Sequence, residues 1–227
     1  MDLKYKIVRS ANRRKLTITV ERDRSVIVHA PINTPDEKIN QVIESKRHWI
    51  YDKIHHSQKY SDLPHPPGKE MVNGESALYL GRSYRIETVQ NDFGEIRFNQ
   101  KFMVPVDKTG KMRRAFRDWY IIRAKEKILS RASYHARKLG VEYTNAKIVD
   151  NLYRWGSCTV KNNVNFNWRL IKAPMFVIDY VIVHELAHLL EPNHTPKFWN
   201  IVKTQIPNVE KSKQWLKNNG QLLEQPI

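Results

Sequence analysis

The chain has 227 residues and a formal net charge of +16, and 41% of its residues are apolar. The apolar content excludes an intrinsically disordered chain and suits one sizeable core, or one core with a small appended domain. A single cysteine, Cys158, excludes an intrachain disulfide and a cysteine-rich zinc site, and it suits a reducing compartment. The positive charge favours encounters with polyanions such as nucleic acid, nucleotides or anionic lipid.

The sequence shows neither a targeting segment nor a membrane span. The chain opens without an apolar signal region, and the longest apolar stretch, which ends at Val183, is interrupted by Asp179 and is too short to cross a bilayer. We therefore expect a cytoplasmic protein with no membrane partner. The oligomeric state is left open by these features.

The first elements predicted are a hairpin and a helix. Residues 15–20 and 25–30 alternate in polarity around a polar turn, which predicts a β-hairpin. Thr34 and Pro35 then predict a helix start, with Thr34 as the N-cap residue and Pro35 at the first helical position. This helix is expected to run to about residue 58.

Further strands complete a mainly β N-terminal part with one helix. Prolines in residues 63–68 break the helix, and residues 77–89 and 96–106 follow as strands. We predict that residues 1–109 form a β-rich domain or lid, and that residues 110–227 form the domain that carries the chemistry.

A long amphipathic helix with a basic surface is predicted from residue 111 to residue 139. Its ten basic residues are Lys111, Arg113, Arg114, Arg117, Arg123, Lys125, Lys127, Arg131, Arg137 and Lys138. Only Asp118 and Glu126 oppose them. The basic face is either merely solvated or a site for nucleic acid, in which case Arg113, Arg114 and Arg117 are the candidate binding residues.

Short strands and a turn precede the last apolar segment. Residues 146–149 predict a strand, and residues 154–158, Arg-Trp-Gly-Ser-Cys, are typical of a turn in which Gly156 permits a positive φ. Residues 163–170 alternate cleanly and predict another strand. Its apolar side chains face the core, and Asn165 and Asn167 lie on its other face.

The most informative motif is H-E-x-x-H, formed by His184, Glu185 and His188. Residues four apart on a helix share one face, so both imidazoles can bind one Zn²⁺ ion while Glu185 serves as a general base. The run before the motif, from residue 176, is almost wholly apolar and predicts a buried helix that begins at Ala173 and Pro174. Because burying these polar groups without partners is costly, a metal is favoured over a core helix with histidines bonded to backbone carbonyls.

A catalytic zinc site needs a third protein ligand and an open position for water. His194 is the first candidate, because Pro192 ends the helix near residue 190 and Asn193 tolerates the left-handed geometry that would reverse the chain. Glu210 on a later helix and Glu191 are the alternatives, with His194 then a surface loop residue. We predict one Zn²⁺ per chain.

The spacing between His188 and His194 equals that of the metzincin motif. The chain departs from that pattern, because Glu191 replaces its glycine and no methionine follows to build a Met-turn. It is therefore not a metzincin. Residues 196–205 and 208–219 predict two short helices that cover the site.

With the segments 154–158 and 193–199, Asn-His-Thr-Pro-Lys-Phe-Trp, the H-E-x-x-H helix resembles the YgjP-like metallopeptidase family of bacteria and archaea. The resemblance is most specific over about residues 110–220. It implies an α+β, zincin-like fold related to SprT-like proteases, in which the H-E-x-x-H helix lies beside a mixed or antiparallel sheet.

The resemblance also implies site residues. His184, His188 and His194 would bind zinc, and Glu185 would be the catalytic base. Arg154 would stabilise an oxyanion or bind an anionic substrate group near the zinc. In zincin-like folds a strand beside the catalytic helix can pair with an extended peptide, and the strand that carries Asn165 and Asn167 is the candidate, unless it has an ordinary polar solvent face.

Hydrolysis of a peptide or protein is the reaction that these features favour, through a zinc-activated water. Two alternatives stay open at this point. In one, the same site cleaves a phosphoanhydride in a nucleotide, and Arg154 and the basic helix hold the phosphates. In the other, the chain is a SprT-like protease that acts on DNA-bound partners.

Overall fold

The computed structural model describes residues 3–20, 25–54, 71–90, 94–151 and 154–224. It has the mixed α+β structure that the sequence predicts. The chain divides into two compact units, Met1–His65 and Pro66–Ile227. In the described part of the chain, no helix combines the length and apolar character needed to cross a membrane.

Among its described residues, the first unit has a three-stranded sheet and two short helices. Its elements are β1 (Lys6–Ser10), β2 (Thr17–Val20), β3 (Val26–Pro31), α1 (Asp36–Ser45) and α2 (Arg47–Ile54). The strand order is β1-β3-β2, with β1 parallel and β2 antiparallel to β3. The β2–β3 pair corresponds to the predicted hairpin, whose turn at 21–24 lies outside the described residues. Val28, Ile39 and Ile50 are central to the core of this unit.

The single helix predicted from Thr34 is observed as two helices. Pro35, with φ −60° and ψ 147°, is the N-cap residue of α1 in place of Thr34, because the backbone N–H of Thr34 closes a turn onto the carbonyl of Pro31 at 3.1 Å. Lys46 separates α1 from α2 and leaves helical geometry, with φ −107° and ψ 8°. The predicted continuation beyond Ile54 lies outside the described residues.

The second unit contains two sheets and four α-helices among its described residues. The first sheet comprises β4 (Ser76–Tyr79), β5 (Arg82–Val89), β6 (Arg97–Phe98) and β7 (Phe102–Pro105), in the order β4-β5-β7-β6. The second comprises β8 (Asn145–Val149), β9 (Gly156–Cys158) and β10 (Asn163–Asn167), in the order β8-β10-β9. The helices are α3 (Met112–Leu139), α4 (Met175–Ala187), α5 (Pro196–Gln205) and α6 (Val209–Glu224).

The first of these sheets packs into the core of the second unit. At the turn between β4 and β5, the backbone N–H groups of Leu80 and Gly81 donate to the carbonyls of Ile171 and Lys172 at 3.0 and 2.8 Å. Aromatic rings of this sheet also pack against α3. The compact units divide at 65/66, whereas the boundary predicted from the sequence is at 109/110. The β-rich segments on both sides of this division have similar patterns of polarity, so the pattern does not show that they belong to different units.

Helix α4 is the central element of the second unit. Its residues are apolar on nearly all sides, which is typical of a fully buried helix. It packs against α3, α5 and α6 and against the edge of the β8-β10-β9 sheet. This position holds the H-E-x-x-H motif at the C-terminal end of a rigid helix.

Candidate metal centre

The last turn of α4 positions both histidines of the H-E-x-x-H motif. The helix ends at Ala187, before the predicted end near residue 190. His188 keeps right-handed helical angles, φ −65° and ψ −16°, as the C-cap residue. After the helix the chain continues in a tighter turn, in which the N–H of Leu189 donates to the carbonyl of Leu186, three residues earlier, at 3.0 Å. The four-residue spacing therefore still places His184 and His188 on one face.

His194 returns to this face through the start of α5. Thr195 is the N-cap residue of α5, and its hydroxyl accepts the N–H of Phe198 at 3.3 Å. The N–H of Thr195 also donates to the carbonyl of Asn193 at 2.8 Å. Asn193 does not have a positive φ, so the left-handed residue that the sequence suggested is not what reverses the chain. The reversal comes from this short turn and from the cap of α5.

The three histidines form a group that can hold a metal ion. Their ligand atoms all lie within 4.8 Å of one another, and the residues described contain no other such group. Nε2 of His184 and Nε2 of His194 lie 3.1 Å apart. Two Zn–N bonds of about 2.0–2.1 Å at a tetrahedral angle separate their nitrogens by about 3.3 Å. The observed separation fits that requirement.

The alternative third ligands do not join this group. The Glu191 carboxylate is not part of the metal-binding group that the described residues form. The Glu210 side chain is 80% exposed and pairs with Lys213 at 3.0 Å. His194 is therefore the residue that the fold brings to the pair on α4.

Burial keeps His184 and His188 in the form that binds metals. It lowers the pKa of His184 to about 3, and the neighbouring His188 and His194 add to this effect. Burial also lowers the pKa of His188. The contact of His188 Nδ1 with the Glu191 carbonyl leaves its Nε2 for a metal. Neutral imidazole is the ligand form, so a cation can bind here without first displacing protons.

Aromatic rings from α5 pack around the group. The ring of Phe198 contacts His184, His188 and His194, with centroids 4.9, 4.6 and 4.8 Å apart. Trp199 stacks on His194 at 5.8 Å. The sequence analysis assigned no part in the site to either residue, although Phe198 lies one helical turn after His194. These rings hold the imidazoles in place and exclude water from one side.

Glu185 is buried beside the histidines, with 7% of its surface exposed. Burial raises the pKa of its carboxyl group to about 7, against the lowering effects of the Arg154 charge and of a hydrogen bond from the Cys158 backbone. A carboxyl group with a pKa near neutrality can both accept and release a proton at physiological pH.

The strand β10 does not present a free edge. It is the central strand, paired with β8 on one side and β9 on the other. An added peptide strand therefore cannot pair with it, which corrects the expectation from the sequence. It is also shorter than predicted, because a 3₁₀ helix starts at Trp168.

The two asparagines of β10 bind neighbouring chain segments. Asn167 is buried, and its amide donates to the carbonyls of Asn151 and Arg154 at 2.5 and 3.1 Å. It supports the segment that carries Arg154 and does not face a cleft. Asn165 donates to the Ser157 hydroxyl at 3.2 Å. Arg154 itself is exposed, and its charge acts on Glu185.

The edge of this sheet on the side of α4 is β9. The N–H of Asn167 donates to the Trp155 carbonyl at 2.8 Å, and the N–H of Thr159 donates to Asn163 at 3.0 Å. In an antiparallel pair, hydrogen-bonded residues alternate with residues whose backbone groups point away. Gly156 and Cys158 therefore direct their backbone groups to the outer edge, where Glu185 lies.

Three arginines of α3 are the candidates for binding nucleic acid. Arg113, Arg114 and Arg117 are exposed. Arg117 donates to Asp150 at 2.8 Å, and Arg114 lies 3.9 Å from Asp118. These acidic partners offset part of the positive charge on this face. Binding of nucleic acid through it stays a prediction.

Comparison with known protein families identifies a match. Residues 14–219 match the family model described as YgjP-like, metallopeptidase domain. No curated protein matches the chain.

Two solved structures show local similarity to the chain. The metallopeptidase zymogen of Pyrococcus abyssi abylysin is 18% identical with a TM-score of 0.38, over 44% of this chain and 98% of that chain. The metallopeptidase zymogen of Methanocaldococcus jannaschii jannalysin is 23% identical with a TM-score of 0.38, over 42% of this chain and 97% of that chain.

Proposed function

The chain belongs to the YgjP-like metallopeptidase domain family, and on this premise we propose that it is a zinc-dependent peptidase with one Zn²⁺ per chain. The ligands are His184, His188 and His194. The observation that carries the proposal is the 3.1 Å approach of the His184 and His194 Nε2 atoms. Imidazole ligands favour zinc over hard cations such as Mg²⁺ and Ca²⁺, which prefer oxygen. Three protein ligands leave a position open, as catalytic zinc sites require.

Glu185 is the general base of this proposal. Zinc, when bound, supplies a Lewis acid that polarises the scissile carbonyl and lowers the pKa of water. Glu185 takes the proton from the attacking water and delivers it to the leaving amine. Burial raises the pKa of Glu185, which favours uptake of this proton. Arg154 places a positive charge near Glu185 and stabilises the negative charge that develops on the carbonyl oxygen.

The outer edge of β9 is the proposed place for an extended substrate. The backbone groups of Gly156 and Cys158 point to this edge, next to Glu185. This edge is half-buried, and the Cys158 backbone already bonds Glu185, so a peptide would use the remaining outward backbone groups of the strand. Such main-chain hydrogen bonds require no particular side chain in the substrate.

The nucleotide alternative gains no support from the basic helix. Phosphoryl chemistry depends on cations held near the phosphates. Two of the three candidate arginines of α3 lie next to acidic partners, Arg114 beside Asp118 and Arg117 beside Asp150. We therefore favour a peptide substrate, and a nucleoside triphosphate serves as a second substrate in the test.

The first test measures zinc content and hydrolysis in three proteins. These are the parent, His194→Ala, and His48→Ala as a control, since His48 on α2 is 94% exposed. We expect about one zinc per chain in the parent and the control, and zinc binding at least roughly tenfold weaker in His194→Ala. Zinc-loaded parent should cleave members of a mixed peptide library. A parent that binds no zinc on titration would overturn the proposal, and turnover of the nucleotide alone would favour the alternative.

A further inference from the structure

Gly156 lies directly against the side chain of Glu185. A Cβ atom at Gly156 would lie 2.5 Å from Cγ, 2.8 Å from Oε1 and 2.9 Å from Cδ of Glu185. Non-bonded carbon atoms attract one another at about 3.5–4.0 Å, so each of these distances is a steric overlap. Any side chain at position 156 would occupy the space that the carboxylate now fills.

The backbone conformation of Gly156 does not explain the glycine. Gly156 lacks the positive φ that the sequence analysis suggested, in contrast to Gly140, with φ 66° at the end of α3. Its conformation is that of a β-strand, which every residue adopts. The absence of a side chain is therefore the property that this position uses.

Neither element can easily move to relieve an overlap. Gly156 pairs with Phe166 in the central strand β10, and Phe166 is fully buried. Glu185 belongs to α4, which packs on several sides in the core. Close-packed interiors transmit such strain instead of absorbing it. The carboxylate would yield first, because its side chain has rotatable bonds.

The same strand also holds the carboxylate from a second direction. Two residues along β9, the backbone of Cys158 hydrogen-bonds Glu185. This bond and the close contact with Gly156 together restrict where the carboxylate can lie. We infer that Gly156 is a positioning residue: its missing Cβ creates the space in which Glu185 is held beside the three histidines. The inference rests on the proposed function, since position matters only if Glu185 transfers protons.

The first experiment tests the contact itself and does not depend on activity. Gly156→Ala is made in the parent and in a Glu185→Ala background, and the melting temperatures are compared. Overpacking should lower the melting temperature of the parent by roughly 3–10 °C. Removal of the Glu185 side chain should reduce this loss by at least half. An equal loss in both backgrounds would overturn the inference.

Two further proteins keep this experiment decisive. Gly110→Ala is the matched control, because nothing lies within 4 Å of a Cβ there and its φ is not positive. It should leave the melting temperature nearly unchanged. If Gly156→Ala does not fold, the double variant with Glu185→Ala should fold. Failure of both to fold would place the overlap elsewhere and overturn the inference.

The second experiment separates positioning from general damage. In zinc-loaded Gly156→Ala, we expect kcat to fall at least about tenfold while KM and zinc content stay within about twofold. A merely structural role would not produce this split. If the parent is active and Gly156→Ala leaves kcat unchanged, Gly156 does not position Glu185. A parent that cleaves no peptide overturns the proposed function instead. The melting experiment still tests whether the space at Gly156 is needed by the Glu185 side chain.

Discussion

Two carboxylates on α4, the half-buried Asp179 and the buried Glu185, have opposite electrostatic surroundings. Asp179, with 14% of its side chain exposed, accepts a hydrogen bond from Arg131 at 2.7 Å and lies 3.2 Å from Nε2 of His135. Burial alone would raise the pKa of Asp179, but hydrogen bonds from His135 and Arg131 hold it below its usual value. Around Glu185, the Arg154 charge and one backbone bond do not offset burial, and the pKa rises to about 7.

This difference gives the two carboxylates of one helix different roles, one structural and one chemical. A carboxylate whose burial is compensated stays ionised and joins two elements, here α3 and α4. A carboxylate whose burial is not compensated exchanges protons near neutral pH, which general acid–base catalysis requires. Glu185 is the more deeply buried of the two, and it has the weaker compensating partners, so both burial and partners separate the two carboxylates.

The largest expected effect is on turnover in Glu185→Gln. Glutamine keeps the shape of the side chain but cannot accept a proton. We expect kcat to fall by about 10²–10⁴-fold, with zinc content unchanged and no loss of thermal stability. Turnover, metal analysis and melting curves measured on one preparation check this. Activity near that of the parent would show that Glu185 is not the general base. The two carboxylates would then not differ in their role in catalysis.

Asp179→Asn should show the reverse pattern. Removing this charge leaves Arg131 and the buried His135 without their partner, so the free energy of unfolding should fall by about 1–3 kcal/mol. The expected loss is smaller than for a fully buried ion pair, because the Arg131 side chain is 36% exposed and can regain water. Urea titrations give the stability, and kcat of the folded protein should stay within about threefold of the parent.

A double variant sharpens this result. Asp179→Asn combined with Arg131→Gln should lose little more stability than Asp179→Asn alone, because both changes remove the same interaction. Additive losses would show that the two side chains act independently. A large loss of turnover in Asp179→Asn at full stability would mean that both carboxylates serve the chemistry.

Local spacing explains what the sequence predicted about this helix. The i and i+4 histidines and the adjacent Glu185 follow from helical periodicity, and His194 follows from a short connection to α5. The bounds of α3 also agree closely with its amphipathic pattern. Each of these features depends on residues close in sequence.

Long-range contacts explain what the sequence did not predict. Asp179 was interpreted only as an interruption of an apolar stretch, because its partners on α3 lie 48 and 44 positions earlier, at Arg131 and His135. The space beside Gly156 depends on a helix that follows much later in the chain. The central place of β10 likewise depends on strand pairing, which alternation of polarity does not specify.

The smallest expected effect is on stability in acid, where the ionisation of Asp179 is lost. Because its pKa is lower in the folded protein, the unfolded chain binds more protons in this range, so stability rises with pH. The contribution is fully present above the unfolded pKa, about 4 for aspartate, and disappears as pH falls through the folded pKa. The difference in unfolding free energy between the parent and Asp179→Asn should therefore shrink from pH 7 to below pH 4. Urea midpoints measure it, with Asp52→Asn, at a 64% exposed position, as the charge-matched control. A difference that stays constant down to the lowest pH would assign the role of Asp179 to packing. The raised pKa of Glu185 would then be the only electrostatic effect in the comparison.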